Sequence, residues 1–473
     1  MSRWCGVFSA MTDSHIAEAE DRQRSGLAVQ TKAGFGVGQI AGQLFRDAPS
    51  LLLLFYLTSI LGIEPALAGA VIFIPKVLFG AGFDLTVGLV SDRYAARFAR
   101  RRWLLVGAIA APFAMLGAFT VPEGSQFLQL AWVFISFSFY MAVFSTFSVP
   151  YLAQFAEMTD SPAERTELMA WKHGFTGVGV LLGSAGTPVM IHILGGGRSA
   201  YIWSIGIIGL VCSIALLTAW YSAGKIPDRQ NTAKPLEPRE LLKVFSDRRF
   251  VILCLSAVIM TVAAGISYAS FAFFVTFAMG RSDAFVQIGI ISTIMAFVVM
   301  AGAPTWVYVA KWLGKKRTYI VAATCHGLVL ICWGTYADSP IYFAYIMAGL
   351  LALFNSGWGL IILSMLSDAI ARSREERGEN RAGAYSAVWS IIEKAGIAAG
   401  GTLVVGGILS LTGFDTESAK QGIAQSADAI QGIVLAYAFI PGIAKIVTAG
   451  LIWIFMPDDD LVKPAPVEFV DED

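Results

Sequence analysis

Eight ionisable side chains stand inside stretches that are otherwise apolar: Arg46, Asp47, Lys76, Asp84, Lys172, Glu393, Lys394 and Lys445. A charge in the middle of a membrane-length helix is disfavoured by about 2.5–3.5 kcal/mol on insertion scales, so it must face a cavity or a partner. Asp84 has Gly80 and Gly88 one turn to either side. Residues four apart share a helix face, and small neighbours let a second helix or a cation come close. Its carboxylate can load a coupling ion, or it can lock two helices as a structural ion pair. Lys394 is the natural partner in both cases, because an ammonium competes with a proton or a sodium ion for the same negative charge.

Arg46 and Asp47 lie part-way along the first apolar stretch, before Pro49. Asp47 can accept hydrogen bonds from a hydroxylated ligand, or pair internally with Arg46 or Lys172. Lys76 and Lys445 can serve a site or snorkel toward a helix end. Aromatic residues are abundant, and aromatic faces beside a few charges suit sugar rings or lipid chains. Tyr151, Trp171 and Trp358 are the ones singled out below. No histidine shows metal-ligand spacing, and His173 reads as a packed side chain.

These residues must be carried by membrane helices. Of the 473 residues, 56% are hydrophobic and only 14% charged, against about a quarter charged in soluble domains. Mean hydropathy is +0.65. A bilayer-crossing helix needs roughly 20 apolar residues. Twelve candidate spans are read at 33–61, 66–92, 103–121, 126–156, 166–195, 199–223, 248–280, 284–312, 318–336, 341–370, 382–412 and 428–456. Helices are required because lipid offers the backbone no hydrogen-bond partner.

Basic residues cluster in alternate loops: Arg93, Arg97 and Arg100–Arg102; Lys315–Arg317; Arg372, Arg374, Arg377 and Arg381. The opposite loops hold only Arg198, Arg281 and Lys420. Basic loops stay in the cytosol, so both termini are expected there. A polar connection, 224–247, divides the chain into a half at 33–223 and a half at 248–456. A faint repeat supports the division: Gly88-Leu-Val-Ser-Asp92-Arg93 closes span two as Ala310-Lys311-Trp-Leu-Gly314-Lys315 closes span eight. The segment 1–32 is charged and lacks a signal-like apolar core, and is expected to be cytosolic. The acidic tail 457–473 reads as a disordered cytosolic end.

Lys+Arg 34 balances Asp+Glu 34, which leaves no argument for nucleic-acid binding. The five cysteines show no CxxC or zinc spacing. There is no P-loop and no HExxH, so neither ATP drive within the chain nor a metalloprotease is indicated, and Gly195-Gly196-Gly197 reads as a turn at a span end. No enzyme activity, cofactor or metal is expected. Charge buried in apolar spans implies solute transport.

At spans four to five the chain reads Pro150-Tyr151, then Ala156-Glu157, Thr159-Asp160 and Glu164-Arg165-Thr166, with Lys172 eight residues after Glu164. This resembles the glycoside–pentoside–hexuronide:cation symporter family of the major facilitator superfamily. Phe45-Arg46-Asp47 with Phe55-Tyr56-Leu57-Thr58, and Ser364 to Asp368 with Asn380-Arg381, Gly383 and Glu393-Lys394-Ala395-Gly396, resemble two further motifs of that family.

The resemblance implies an all-α integral membrane protein of the major facilitator fold: twelve transmembrane helices in two six-helix halves, rocking by alternating access in a bacterial inner or plasma membrane. It implies cation-coupled symport of a sugar, glycoside or hexuronide, with a monomer sufficient. In melibiose-type members two span-two acids and a span-eleven lysine form the cation site. Asp84 and Lys394 match the second acid and the lysine, while Gly80 stands at the first. A lone carboxylate suits H⁺ better than Na⁺, which needs several oxygens. The span-one Asp of the family binds sugar, which carries to Asp47; the span-four sugar-binding Asp is replaced near Ser148, which speaks against a galactoside. The expected substrate site is Asp47, Arg46, Lys172, Tyr151, Trp171 and Trp358. The expected cation site is Asp84 with Lys394, and Asp92 and Arg93 are expected gate residues. One competing expectation is a carrier of lysophospholipid or another amphiphile on the same fold. Another is a non-transporting sensor, for which head and tail are short.

Overall fold

Long apolar runs leave a membrane-buried backbone no partner but itself, and here every such run is helical. The computed structural model describes residues 27–93, 98–159, 162–224, 243–377 and 382–457, and no strand occurs among them. Most of the 1–32 segment and of the 224–247 connection, and the tail beyond 457, lie outside the described residues.

Eleven helices are long and apolar enough to cross a membrane: α2 Pro65–Ser91, α3 Arg100–Phe119, α4 Gln126–Phe155, α5 Glu167–Ile193, α6 Arg198–Ala223, α7 Arg248–Ala278, α8 Ala284–Leu313, α9 Lys315–Thr335, α10 Ile341–Ser373, α11 Gly383–Leu411 and α12 Ala427–Phe455. The remaining expected span is α1, Gly38–Phe55, with a short lead-in helix Val29–Gly36. Its 18 residues reach the needed length, but Gln39, Gln43, Arg46, Asp47 and Ser50 lower its apolarity. The residues that make α1 interesting are the ones that take it below the threshold.

Helix starts follow ordinary capping chemistry. Glu64 precedes Pro65 and accepts from the amides of Ala66 and Leu67 at 3.1 and 3.0 Å. Asp247 caps α7 by accepting from the amide of Arg249 at 3.0 Å. Each cap satisfies donors that the first helical turn leaves free.

The two halves repeat each other in detail. α1 runs into a π-helical segment, Tyr56–Ile60, and then a left-handed Gly62 with φ 80°. α7 ends in the same way, with Phe274–Ala278 and Gly280 at φ 60°. α5 contains the six-residue π segment Leu181–Gly186 followed by seven α-helical residues, Thr187–Ile193. α11 contains the six-residue Ala399–Val404 followed by seven, Val405–Leu411. The match gives a structural form to the repeat that the sequence carries only faintly.

Within the halves, α3 packs on α4 and α6, and α9 on α10 and α12. Across the halves α1 meets α7, α2 meets α11 and α5 meets α8, an arrangement related by the same two-fold. This cross-half packing is concentrated at the end that bears Gly62, Gly280 and Gly413. Phe55 of the first half sits against Phe273 and Phe285 of the second, with ring centroids 4.9 and 5.6 Å apart, and Phe277 stacks beyond it. A Cβ built on Gly69 would lie 2.4 Å from the Thr402 carbonyl, and one on Gly406 2.5 Å from the Pro65 carbonyl. Only glycine permits α2 and α11 to come so close. Toward the basic-loop end the halves separate: Gly174 and Gly359 meet nothing within 4 Å, and Trp171, Leu363 and Ile391 are exposed.

Candidate functional site

The separation leaves a cleft between the halves, open toward the basic loops and closed by the phenylalanine cluster. Two groups of charged side chains face it.

The first is centred on Asp84, one helical turn beyond Gly80 in α2. Lys394 of α11 donates to its Oδ2, and Ser145 of α4 donates to its Oδ1 at 2.6 Å. The pairing of Asp84 with Lys394 is the one expected from sequence, and it ties the first half to the second. Lys394 is about half exposed and Asp84 one-fifth exposed, so water reaches the pair. Ser145 escaped the sequence reading, since a serine in a helix ordinarily back-bonds to its own preceding carbonyls. No acid replaces Gly80, and a Cβ there would touch the Met141 methyl at 3.0 Å. Two carboxylate oxygens and one hydroxyl, already engaged by an ammonium, can take a proton readily. They offer a sodium ion few ligands.

The second is centred on Asp47, which is 5% exposed. Gln43, one turn earlier, donates to Oδ2 at 2.7 Å, and the Arg46 Nε to Oδ1 at 3.3 Å. The hydroxyl of Tyr268 in α7 also reaches Asp47 and is held by Ser184 of α5 at 2.5 Å. Asp47 packs against Gly183, where a Cβ would be 3.3 Å from its own. Gly183 belongs to the π segment of α5, and such segments often mark functional positions. The Arg46 side chain remains 54% exposed and faces Glu393 of α11. Lys76, in the π segment Pro75–Phe79 of α2, donates to the Ser50 hydroxyl at 3.3 Å. The cleft beside it is lined by Ser50, Phe137, Tyr268 and Thr402.

Of the two internal pairs considered for Asp47, the structure forms the one with Arg46. Lys172 does not come to Asp47. It lies eleven residues before Gly183 in α5, about 16 Å along the axis at 1.5 Å per residue. Its Nζ stands 5.4 Å from the Phe155 ring centre, near the open end. Tyr151 is 5% exposed, and its hydroxyl donates to the carbonyls of Phe35 and Gly36 at 2.8 and 3.3 Å. It secures the break between the lead-in helix and α1. Trp171 stacks on Phe175 at 6.2 Å and packs over Gly36. Trp358 is covered by Lys445, whose Nζ is 3.3 Å from the ring centre in a cation–π contact. Arg93 is exposed at the end of α2, while the Asp92 side chain lies outside the described residues. Among the described residues no His, Cys, Asp and Glu cluster could hold a metal ion.

A bundle of apolar helices with paired and unpaired charges facing a cleft between two repeated halves defines a polytopic membrane transporter. The model of the MFS/sugar transport protein family matches residues 34–459, and the chain belongs to that family. It is 24% identical over 423 residues to the uncharacterized symporter YnaJ of Bacillus subtilis, covering 88% of this chain and 89% of that one. It is 23% identical over 465 residues to the glucuronide carrier protein homolog of Escherichia coli, covering 93% and 95%. Among solved structures it is similar to the nucleoside transporter NupG, in its D323A mutant, with a TM-score of 0.66 at 11% identity, over 90% of this chain and 100% of that one. That likeness concerns the fold.

Proposed function

We propose that the protein couples proton entry to uptake of a sugar-like solute by alternating access. The observation that carries the reading is the Asp84–Lys394 link between the halves. An ionised Asp84 holds Lys394. A proton on Asp84 removes the charge, releases Lys394 and frees the halves to rock about the contacts of α1 with α7. Solute binds in the cleft near Asp47, Arg46 and Tyr268, at the level where α1, α5 and α7 converge. The glucuronide carrier homolog supports a hydroxylated solute, and the lone carboxylate at Asp84 supports H⁺ over Na⁺. The basic loops support a bacterial inner-membrane orientation with both termini in the cytosol. In that orientation the cleft opens to the cytosol. A monomer contains the whole site.

The test is uptake of labelled glycosides and hexuronides into liposomes holding the purified protein, with an imposed proton gradient. Accumulation that collapses with the gradient and is lost in Asp84→Asn supports the reading. Accumulation that follows a sodium gradient instead, or none of any glycoside, rejects it.

A further inference from the structure

The inner charges do not balance. Arg46, Lys76, Lys172, Lys394 and Lys445 are set against Asp47, Asp84 and Glu393. Lys394 is matched by Asp84, and Arg46 by Asp47 with Glu393 across the cleft. Lys172 sits near the open end beside Phe155, and Lys445 has the face of Trp358. Lys76 has neither. Among the described residues it has no carboxylate within ion-pair distance; its polar partner is the Ser50 hydroxyl, and its nearest charge is the like-charged Arg46. An ammonium away from bulk water with a second cation beside it is an unfavourable arrangement that an anion between the two would relieve.

The local geometry aims Lys76 at that position. Ser50 donates its proton to the Arg46 carbonyl at 2.6 Å, so its lone pairs are turned to Lys76. That contact uses one of three ammonium donors and leaves two. Lys76 and Ser50 line the cleft at its closed end, with Tyr268 and Thr402 on the opposite half. Asp47 already offsets much of the Arg46 charge, so the subsite carries a surplus of about one positive charge by this pairing.

Resting on the reading of the cleft as a solute site, we propose that Lys76, oriented by Ser50 and assisted by Arg46, forms an anion subsite, and that the transported solute is a monoanion carrying a carboxylate or sulfonate on a hydroxylated body. The hydroxyls lie toward Tyr268 and Thr402. A neutral glycoside leaves Lys76 unmatched, a cationic solute is repelled, and a phosphate dianion overshoots the single surplus charge.

The test is binding to the purified full-length protein of methyl glucuronide, a sulfonated methyl glucoside, neutral methyl glucoside and glucose phosphate, with the same solutes then offered to liposomes under a proton gradient. The subsite predicts that at least one of the two monoanions binds about tenfold or more tighter than the neutral glucoside, the stronger arm telling carboxylate from sulfonate. Lys76→Met should bring the acidic solute down to the affinity of the neutral one and leave the neutral one unchanged, and Lys76→Arg should restore the preference. Equal binding of acidic and neutral glycosides, equal loss of both in Lys76→Met, or no binding of either monoanion overturns the subsite. Proton-driven accumulation without acid preference overturns the subsite and leaves the symport reading standing. Lys76-dependent binding of acids without proton-driven accumulation does the reverse.

Discussion

Lys394 of α11 donates a hydrogen bond to Asp84 of α2, and through it the second half of the bundle holds the first. Ser145 donates to the other carboxylate oxygen from α4. Lys394→Met removes the cross-half partner but leaves Asp84 ionised beside Ser145. Gradient-driven accumulation should then be lost while solute binding persists, read as uptake against binding on the same preparation. Lys394→Arg keeps the charge and should retain part of the accumulation.

Asp47 is buried and gathers Gln43, Arg46 and Tyr268. Asp47→Ala strands a guanidinium and an amide. The expected loss is about 1–3 kcal/mol of stability from the unsatisfied groups, together with loss of solute binding. Gln43→Ala removes one neutral hydrogen bond and should lower stability by about 1 kcal/mol with binding reduced and not abolished. Thermal unfolding with and without solute separates the two effects.

The closed end depends on glycine. A side chain at Gly406 meets the Pro65 carbonyl, and one at Gly69 meets the Thr402 carbonyl. Ser410 also donates to Glu64 across this interface. Gly406→Val should therefore hold α2 and α11 apart and open this end. A cysteine introduced at Phe55, fully packed in the parent protein, should then react with a maleimide at a rate at least about tenfold higher.

Outside the membrane spans, Glu164 fixes the start of the described chain. It accepts from Thr159 Oγ1 at 2.5 Å and from the Leu27 amide at 2.6 Å, and Lys32 lies 3.8 Å away. The Thr159 hydrogen bond, with the Leu27 amide and Lys32 adding to it, holds the carboxyl below the usual glutamate range. A depressed folded value means the stabilisation is fully present above the unfolded value of about 4.3 and fades as pH falls through the lower folded value. Hydrogen exchange at Leu27 should accelerate as the pH drops below about 4, and Glu164→Gln should show the faster exchange already at neutral pH.

Asp84 and Lys394 were legible as partners because apolar spans tolerate few charges and each must be compensated. The depth of a charge within the bundle was not legible. Lys172 belongs to the right helix, but only the contact of Gly183 with Asp47 reveals that Lys172 lies three turns away. Gln43 could have been found from its four-residue spacing to Asp47, whereas Ser145 and Tyr268 arrive from other helices. Tyr151 drew notice as part of a motif; it serves the helix break at Val37, which frees the carbonyls it caps. Twelve spans were read and eleven qualify by apolarity, because α1 carries the polar residues of the site itself.

The central claim is that one proton on Asp84 releases the link between the halves. Spin labels at Arg102 and Arg317, both exposed at the start of α3 and α9, report the opening of the basic-loop end by pulsed electron resonance. The account predicts that lowering the pH shifts the parent protein from one long separation toward a mixture with shorter ones. It predicts that Asp84→Asn shows that mixture at every pH. An Asp84→Asn variant that keeps the parent's pH response would contradict it.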